Sequence, residues 1–185
     1  MGSIAVASVA GVGIFSGIQW HAWHKDPDFQ YLDEHKKTLS ALAETIIPTS
    51  DVVGARNCDV DKYIIGMIRD CTDTHDANTF IDGLKNLVQY SYDNYGKKYE
   101  DCTTSQQVEI LRHFEKKGKT APGLWGKVRN KYWGKPFFTT LKEYTVLGYC
   151  TSEGGATRGL AYVPVPGAYR GCIPLAAGQK GWATR

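Results

Sequence analysis

The residues of this chain that could do chemistry are its cysteines, its histidines and a few carboxylates. Cys58, Cys71, Cys102, Cys150 and Cys172 are never three residues apart. The C-x-x-C, haem-attachment and zinc-ribbon spacings are therefore missing, which disfavours a haem or iron–sulfur centre held by this chain alone. Cys150 and Cys172 are of a type that can act as nucleophiles, but neither has a histidine beside it in sequence. A structural or inter-chain disulfide is the more economical use of them. His21 and His24 stand three apart, a spacing that can hold a metal on a helix. No third ligand accompanies them, and a surface or interface pair is the better reading. His35, His75 and His113 are scattered and read as surface or core-edge residues. Asp70, Asp73 and Asp76 form an acidic cluster, read as a helix end and a helix cap ahead of a cation site. Glu44, Glu109 and Glu143 are single carboxylates in helical faces, not a pair with split pKa values. There is no G-x-S-x-G, phosphate loop or H-E-x-x-H. No catalytic, cofactor-binding or metal-binding residue is nominated.

The elements that would position such groups are helices. Leu39, Leu42, Ala43, Ile46 and Ile47 share one face of a helix over Glu34 to Ile47, which Pro48 ends. Asn57 can cap a second helix, with Val60, Ile64, Met67, Ile68 and Cys71 on one side. Asp76 can cap a third, with Phe80, Leu84, Leu87 and Tyr95 inward and Gly96 as its stop. Thr103/Gln106 and Thr104/Gln107 both fit a capping box before Val108, Leu111 and Phe114. Pro136 suits the first position of a last helix carrying Phe137, Phe138, Leu141, Tyr144 and Val146. About five amphipathic helices with almost no alternating pattern predict an all-α domain over residues 25–148.

The chain of 185 residues suits one domain. Its net charge of +3 comes without a clustered basic face, which argues against nucleic-acid binding. Residues 1–24 read as an export signal or membrane-anchor segment, because Met1 to Trp20 is uncharged and apolar. The glycines at 11, 13 and 17 lack the strand, helix start and acidic partner of a dinucleotide loop. Trp20 to Pro27, with Asp28, Phe29, Gln30 and Tyr31 after it, reads as a tether with aromatic anchors.

Residues 149–185 are different. Gly, Pro, Tyr and Arg interleave too closely for a regular element, yet Tyr, Leu and Val are too frequent for disorder. Such a long irregular segment must lie on a surface, either the helices of this chain or another protein. Tyr, Trp and Arg anchor interfaces, so the segment is expected to wrap a partner. The contacts expected are Tyr149, Thr151, Ser152, Glu153, Tyr162, Pro164, Pro166, Tyr169 and Arg170.

Two blocks resemble a known family. Leu39-Ser40-Ala41-Leu42-Ala43-Glu44-Thr45-Ile46-Ile47-Pro48-Thr49-Ser50-Asp51, then Gly54-Ala55-Arg56 and a helix ending in Asp70-Cys71, is similar to the opening of the gluconate 2-dehydrogenase subunit 3 family. Gly148-Tyr149-Cys150-Thr151-Ser152-Glu153-x-Gly155-Ala156-Thr157, then Leu160-x-Tyr162-x-Pro164-x-Pro166-Gly167-x-Tyr169-x-Gly171-Cys172-Ile173-Pro174-Leu175, resembles its close. The resemblance implies a small non-catalytic subunit of a periplasmic, membrane-associated sugar, sugar-acid or glycoside dehydrogenase. It implies an FAD-containing large subunit of the glucose–methanol–choline type and, often, a cytochrome c subunit carrying haem c. It also implies a twin-arginine export signal shared with the large chain. No Arg-Arg pair precedes the apolar segment here, so the numbered start is expected to lie inside a longer leader. Export would permit disulfides. Cys71 and Cys102 flank the third helix and are expected to pair, which the loop-entropy relation values at about 3–4 kcal/mol. Cys150 or Cys172 bonded to the large subunit would then account for the odd count. The rival readings are a membrane-anchoring structural subunit that keeps its N-terminal helix and an independent cysteine-dependent enzyme.

Overall fold

Side-chain caps set where the helices of this chain begin. In the computed structural model, which describes residues 25–118, 134–165, 167, 172, 174, 175 and 177–183, Asp28 accepts the Tyr31 N–H at 3.3 Å and opens α1, Phe29–Glu34. Lys85 holds the same carboxylate at 3.1 Å and lies 4.8 Å from the Tyr31 ring centre. The expected tether is thus a helix from Phe29 onward, because Leu32 is wholly buried and Asp28 caps it. His35 leaves helical geometry and separates α1 from α2, Lys36–Ile46. The single helix expected from Glu34 is therefore two, with the His35 ring stacked on Tyr31 at 3.9 Å.

A 3-10 turn, Ala55–Cys58, leads through Asp59 at φ +52° into α3, Val60–Gly66. The expected Asn57 cap lies inside that turn, and α3 starts after it. The wider π turn Met67–Cys71 continues α3 and closes with Thr72 Oγ1 donating to the Met67 carbonyl. Asp73, not Asp76, caps α4, Thr74–Tyr95, by accepting the Asp76 N–H at 2.9 Å. Gly96 ends α4 at φ +64°, where its missing β-carbon removes the left-handed penalty. After a 3-10 turn, Tyr99–Asp101, comes α5, Thr104–Gly118. Thr103 and Gln106 form the capping box reciprocally, at 3.0 and 3.4 Å. The last helix, α6, is Phe137–Thr151, followed by a π turn, Gly155–Gly159.

The described residues contain six α-helices and no β-strand, and the fold is all-α as the periodicity predicts. An isolated parallel bridge pairs Ala161 with Trp182. Helix α6 is central, touching α2, α3, α4 and α5. Phe137 at its start packs against Phe80 at 5.0 Å and edge-on to Phe114 at 6.1 Å. Tyr99 is fully buried and donates to Thr45 Oγ1 at 3.0 Å. Burial pushes its phenol far above the ordinary tyrosine range.

All five cysteines are free thiols, and the expected Cys71–Cys102 bridge is corrected by geometry. Cys71 is exposed just before α4. Cys102 is buried near the other end of that helix, its Sγ 3.4 Å from Ser91 Oγ. Thr74 and Ser91 are seventeen helical steps apart, roughly 25 Å at the α-helical rise. A disulfide requires α-carbons within about 7 Å.

Candidate partner interface

Glu44 sits in the last turn of α2, where a carboxylate opposes the helix dipole. Its place there is explained by the loop it holds. Oε1 accepts the Thr49 N–H at 2.8 Å and the Thr49 hydroxyl at 2.7 Å, and Oε2 accepts the Arg56 N–H at 2.9 Å. Partial burial pushes this carboxyl up, but the hydrogen bonds outweigh burial and keep it below its ordinary value. Gly54 makes the fold-back possible, since a β-carbon there would overlap Thr49 and Glu44. The polar residues of the opening block therefore build one turn, residues 47–56, pinned to the end of α2.

The closing block docks onto that turn. Tyr149 is 6% exposed, and its hydroxyl donates to the Val53 carbonyl at 2.8 Å. Burial pushes its phenol up. The π turn after α6 folds back over the same ring. A β-carbon at Gly155 would overlap the Tyr149 carbonyl, and one at Gly159 would overlap the Tyr149 hydroxyl. Ser152 fixes the exit from α6. Its N–H bonds the Gly148 carbonyl at 3.0 Å, its hydroxyl donates to the Tyr149 carbonyl at 2.7 Å, and Ser152 Oγ accepts the Gly155 N–H at 3.0 Å. Thr151 bonds back to the Leu147 carbonyl at 2.8 Å, and the Glu153 carbonyl accepts the Thr157 hydroxyl at 2.6 Å. Half-buried Cys58 and the Arg158 guanidinium both crowd the place a β-carbon at Gly154 would take.

Beyond the π turn the chain is tied down once more. Ala161 N–H donates to the Gly181 carbonyl at 2.8 Å, and Ala183 N–H donates to the Ala161 carbonyl at 2.9 Å. Lys180 Nζ donates to the Arg158 carbonyl at 2.8 Å. Between these ties, apolar side chains face solvent. Tyr162, Val163, Val165, Leu175 and Trp182 are all exposed, and Val165 and Leu175 are more than four-fifths so. Pro164 and Cys172 are exposed as well, while Cys150 is half-buried against the core.

The expected contacts thus divide. Tyr162 and Pro164 are outward-facing. Tyr149 is not, because its ring is a support inside the fold and its hydroxyl already has a partner. Ser152 and Thr151 shape the end of α6. Pro166, Tyr169 and Arg170 lie outside the described residues, as do His21, His24 and Met1–Trp20. Sequence reasoning missed Glu44, Gly54 and Val53 as the seat for Tyr149, and Trp182 as half of the closing bridge. A carboxylate against the dipole at Glu44 was the available signal for the first.

Two members of the expected acidic cluster, Asp73 and Asp76, make hydrogen bonds to the backbone at the start of α4. Asp73, His75 and Asp76 bring ligand-type atoms within 4.8 Å of one another. Asp73 caps α4, and Asp76 accepts the Lys135 N–H at 3.0 Å. Among the described residues, no helix is long and apolar enough to cross a membrane.

The chain is a small helical scaffold whose two signature blocks interlock and whose described tail residues include exposed apolar side chains. The sequence profile of the family described as Gluconate 2-dehydrogenase subunit 3 matches residues 33–167. The chain belongs to that family, and with it to the subunits of dehydrogenase complexes. No match was found among curated proteins or among solved structures.

Proposed function

We propose that this chain is a non-catalytic accessory subunit that binds, stabilises and helps export the FAD-containing catalytic subunit of a periplasmic, membrane-associated dehydrogenase. The substrate class is a sugar, sugar acid or glycoside. The large partner is of the glucose–methanol–choline type, with a cytochrome c subunit carrying haem c as electron acceptor. The observation that carries this reading is the division of labour in the two signature blocks. Their buried or hydrogen-bonded side chains, Glu44, Thr49, Tyr149 and Ser152, are engaged within the chain. Their exposed ones include the apolar Tyr162, Val163, Val165 and Leu175. Polar side chains engaged within the chain, with apolar side chains turned outward, suit holding a partner better than turning over a substrate.

Capture of the tagged chain from native membrane and periplasmic fractions tests the proposal. The expected eluate is yellow and contains a large second chain, with intact masses reporting leader cleavage and any bond from Cys150 or Cys172 to that chain. Replacing Tyr162 and Tyr169 by Ala should release the large chain. A colourless chain eluting alone, with activity of its own that Cys150→Ser or Cys172→Ser abolishes, would refute the accessory role.

A further inference from the structure

We infer that α1 is a releasable strap, hinged at His35 and held on the core by two solvent-exposed charge clamps, so that ionic strength sets the length of the link between residues 1–24 and the helical core. This inference stands apart from the accessory-subunit reading. Residues 28–34 carry three carboxylates, Asp28, Asp33 and Glu34, and no lysine or arginine. Two cations from separate elements meet them. Lys85 of α4 lies 3.1 Å from Asp28 Oδ2 and 4.8 Å from the Tyr31 ring centre. Arg69 of the π turn lies 2.8 Å from Asp33 Oδ2 and 5.9 Å from the Phe29 ring centre. Each cation thus grips a carboxylate and a ring of the same short segment. All four charged side chains are at least 37% exposed, so salt reaches both clamps.

The rest of the hold on α1 is light. Its six residues are too few to stay helical alone. Leu32 is fully buried, while Phe29 and Tyr31 are only partly so. Asp28 is both the N-cap and the Lys85 partner, which couples winding of the helix to its docking. Ahead of the helix, Asn78 Nδ2 donates to the Lys25 carbonyl at 2.6 Å in an exposed hydrogen bond. At the other end His35 departs from helical geometry, at φ −100° and ψ +22°. A cavity of about 90 Å³ lined by His35, Thr38, Tyr92 and Glu100 lies beside that joint. Helix α2 beyond it is firmly packed, with Leu39, Ala41, Leu42 and Ala43 buried. The chain therefore divides at His35, and a segment with few buried contacts opens before the core does. Release moves the point of attachment from Lys25 to His35, and the ten steps of chain between them can then span about 35 Å.

The test is native-state hydrogen exchange of the full-length chain at low and high ionic strength. It is read at the end of α1, where the His35 N–H bonds the Tyr31 carbonyl, and in α6. In the wild-type chain the α1 amides should exchange faster than those of α6, and added salt should speed them further. Lys85→Met and Arg69→Met each remove a charge and keep an apolar stem. Each should speed α1 exchange by about two- to fivefold at low salt, the worth of an exposed pair. Each should also shrink the salt response and leave α6 exchange unchanged. In Arg69→Asp, the added change Asp33→Arg should restore slow, salt-sensitive exchange. Exchange of α1 at the rate of α6 would mean that the strap opens only with the whole fold, and overturns the inference. So does α1 exchange that salt leaves unchanged, or clamp variants that match wild type at low salt. A swapped pair that stays as loose as Arg69→Asp would assign the hold to packing on Phe29 and overturn the charge clamps.

Discussion

The Tyr149 hydroxyl reaches the Val53 carbonyl at 2.8 Å across 96 residues of sequence, joining the turn after α2 to the end of α6. This bond is the seam between the two signature blocks. Tyr149→Phe keeps the ring in place for Gly155 and Gly159 but leaves the Val53 carbonyl without its donor. The expected loss is about 1 kcal/mol of unfolding free energy, measured by chemical denaturation. The same variant should speed amide exchange in residues 50–56, because this bond ties the turn to α6. Unchanged exchange there would mean that the seam does not hold the turn.

Gly155 and Gly159 set a harder limit. Their α-carbons press against Tyr149 so closely that an added methyl has nowhere to go. Gly155→Ala should destabilise more than Tyr149→Phe does, because backbone carbonyl, not a flexible side-chain end, is what the methyl meets. Overpacking of this kind typically costs about 1–3 kcal/mol. Thermal melts of the two variants side by side give the order, and a reversed order would place the strain elsewhere.

Glu44 makes the turn acid-sensitive. Its carboxyl titrates below the ordinary value of 4.5 in the folded chain. A depressed folded pKa contributes stability that is fully present above the unfolded pKa and is lost as pH falls through the folded one. Wild type should therefore exceed Glu44→Gln in stability at neutral pH, and the gap should close as pH drops below 4.5. The glutamine also turns an acceptor into a donor facing the Thr49 or Arg56 N–H. Denaturation curves at several pH values check this; parallel pH profiles for the two proteins would contradict it.

Much of the fold is legible in the sequence because it rests on local rules. The apolar spacing of Leu39, Leu42 and Ala43, the stop at Gly96 and the Thr103/Gln106 box each concern residues within one or two turns of one another. The errors have the same origin seen from the other side. Asp28 makes a helix of an expected tether only because Lys85 and the core receive α1. Asp73 outranks Asp76 as cap because the helix already starts at Thr74, and Asp76, in its first turn, instead accepts the Lys135 N–H from 59 residues away. The Cys71–Cys102 pairing, implied by resemblance and export, fails because a long helix lies between the two positions. The partner contacts suffer likewise. Tyr162 and Tyr149 look alike in a Tyr-rich segment, and only the Val53 carbonyl and two close glycines tell the inward ring from the outward one.

The free thiols give a further test of that geometry. Cys71 and Cys172 are exposed, and Cys102 is buried beside Ser91 and the Lys98 carbonyl. In the native protein, Cys71 and Cys172 should react with a thiol reagent in a fast phase, and Cys102 only as the chain unfolds. Cys71→Ser should leave the melting temperature unchanged with or without reductant. A reductant-sensitive melt, lost in Cys71→Ser, would mean that these cysteines are bridged after all.

Asp73 separates capping from metal binding. It accepts the Asp76 N–H at 2.9 Å at the start of α4, and its neighbours His75 and Asp76 offer the remaining atoms of a would-be cation cluster. If the carboxylate serves as a cap, Asp73→Asn should be nearly neutral, since the amide oxygen accepts the same bond, while Asp73→Ala should lose about 1 kcal/mol. Chelator treatment and added divalent cations should leave the melting temperature of all three proteins in place. A melting temperature that rises with calcium or manganese in wild type, and not in Asp73→Asn, would assign the cluster to a cation instead. The helix-start role predicts the opposite pattern, an alanine-specific loss that no cation restores.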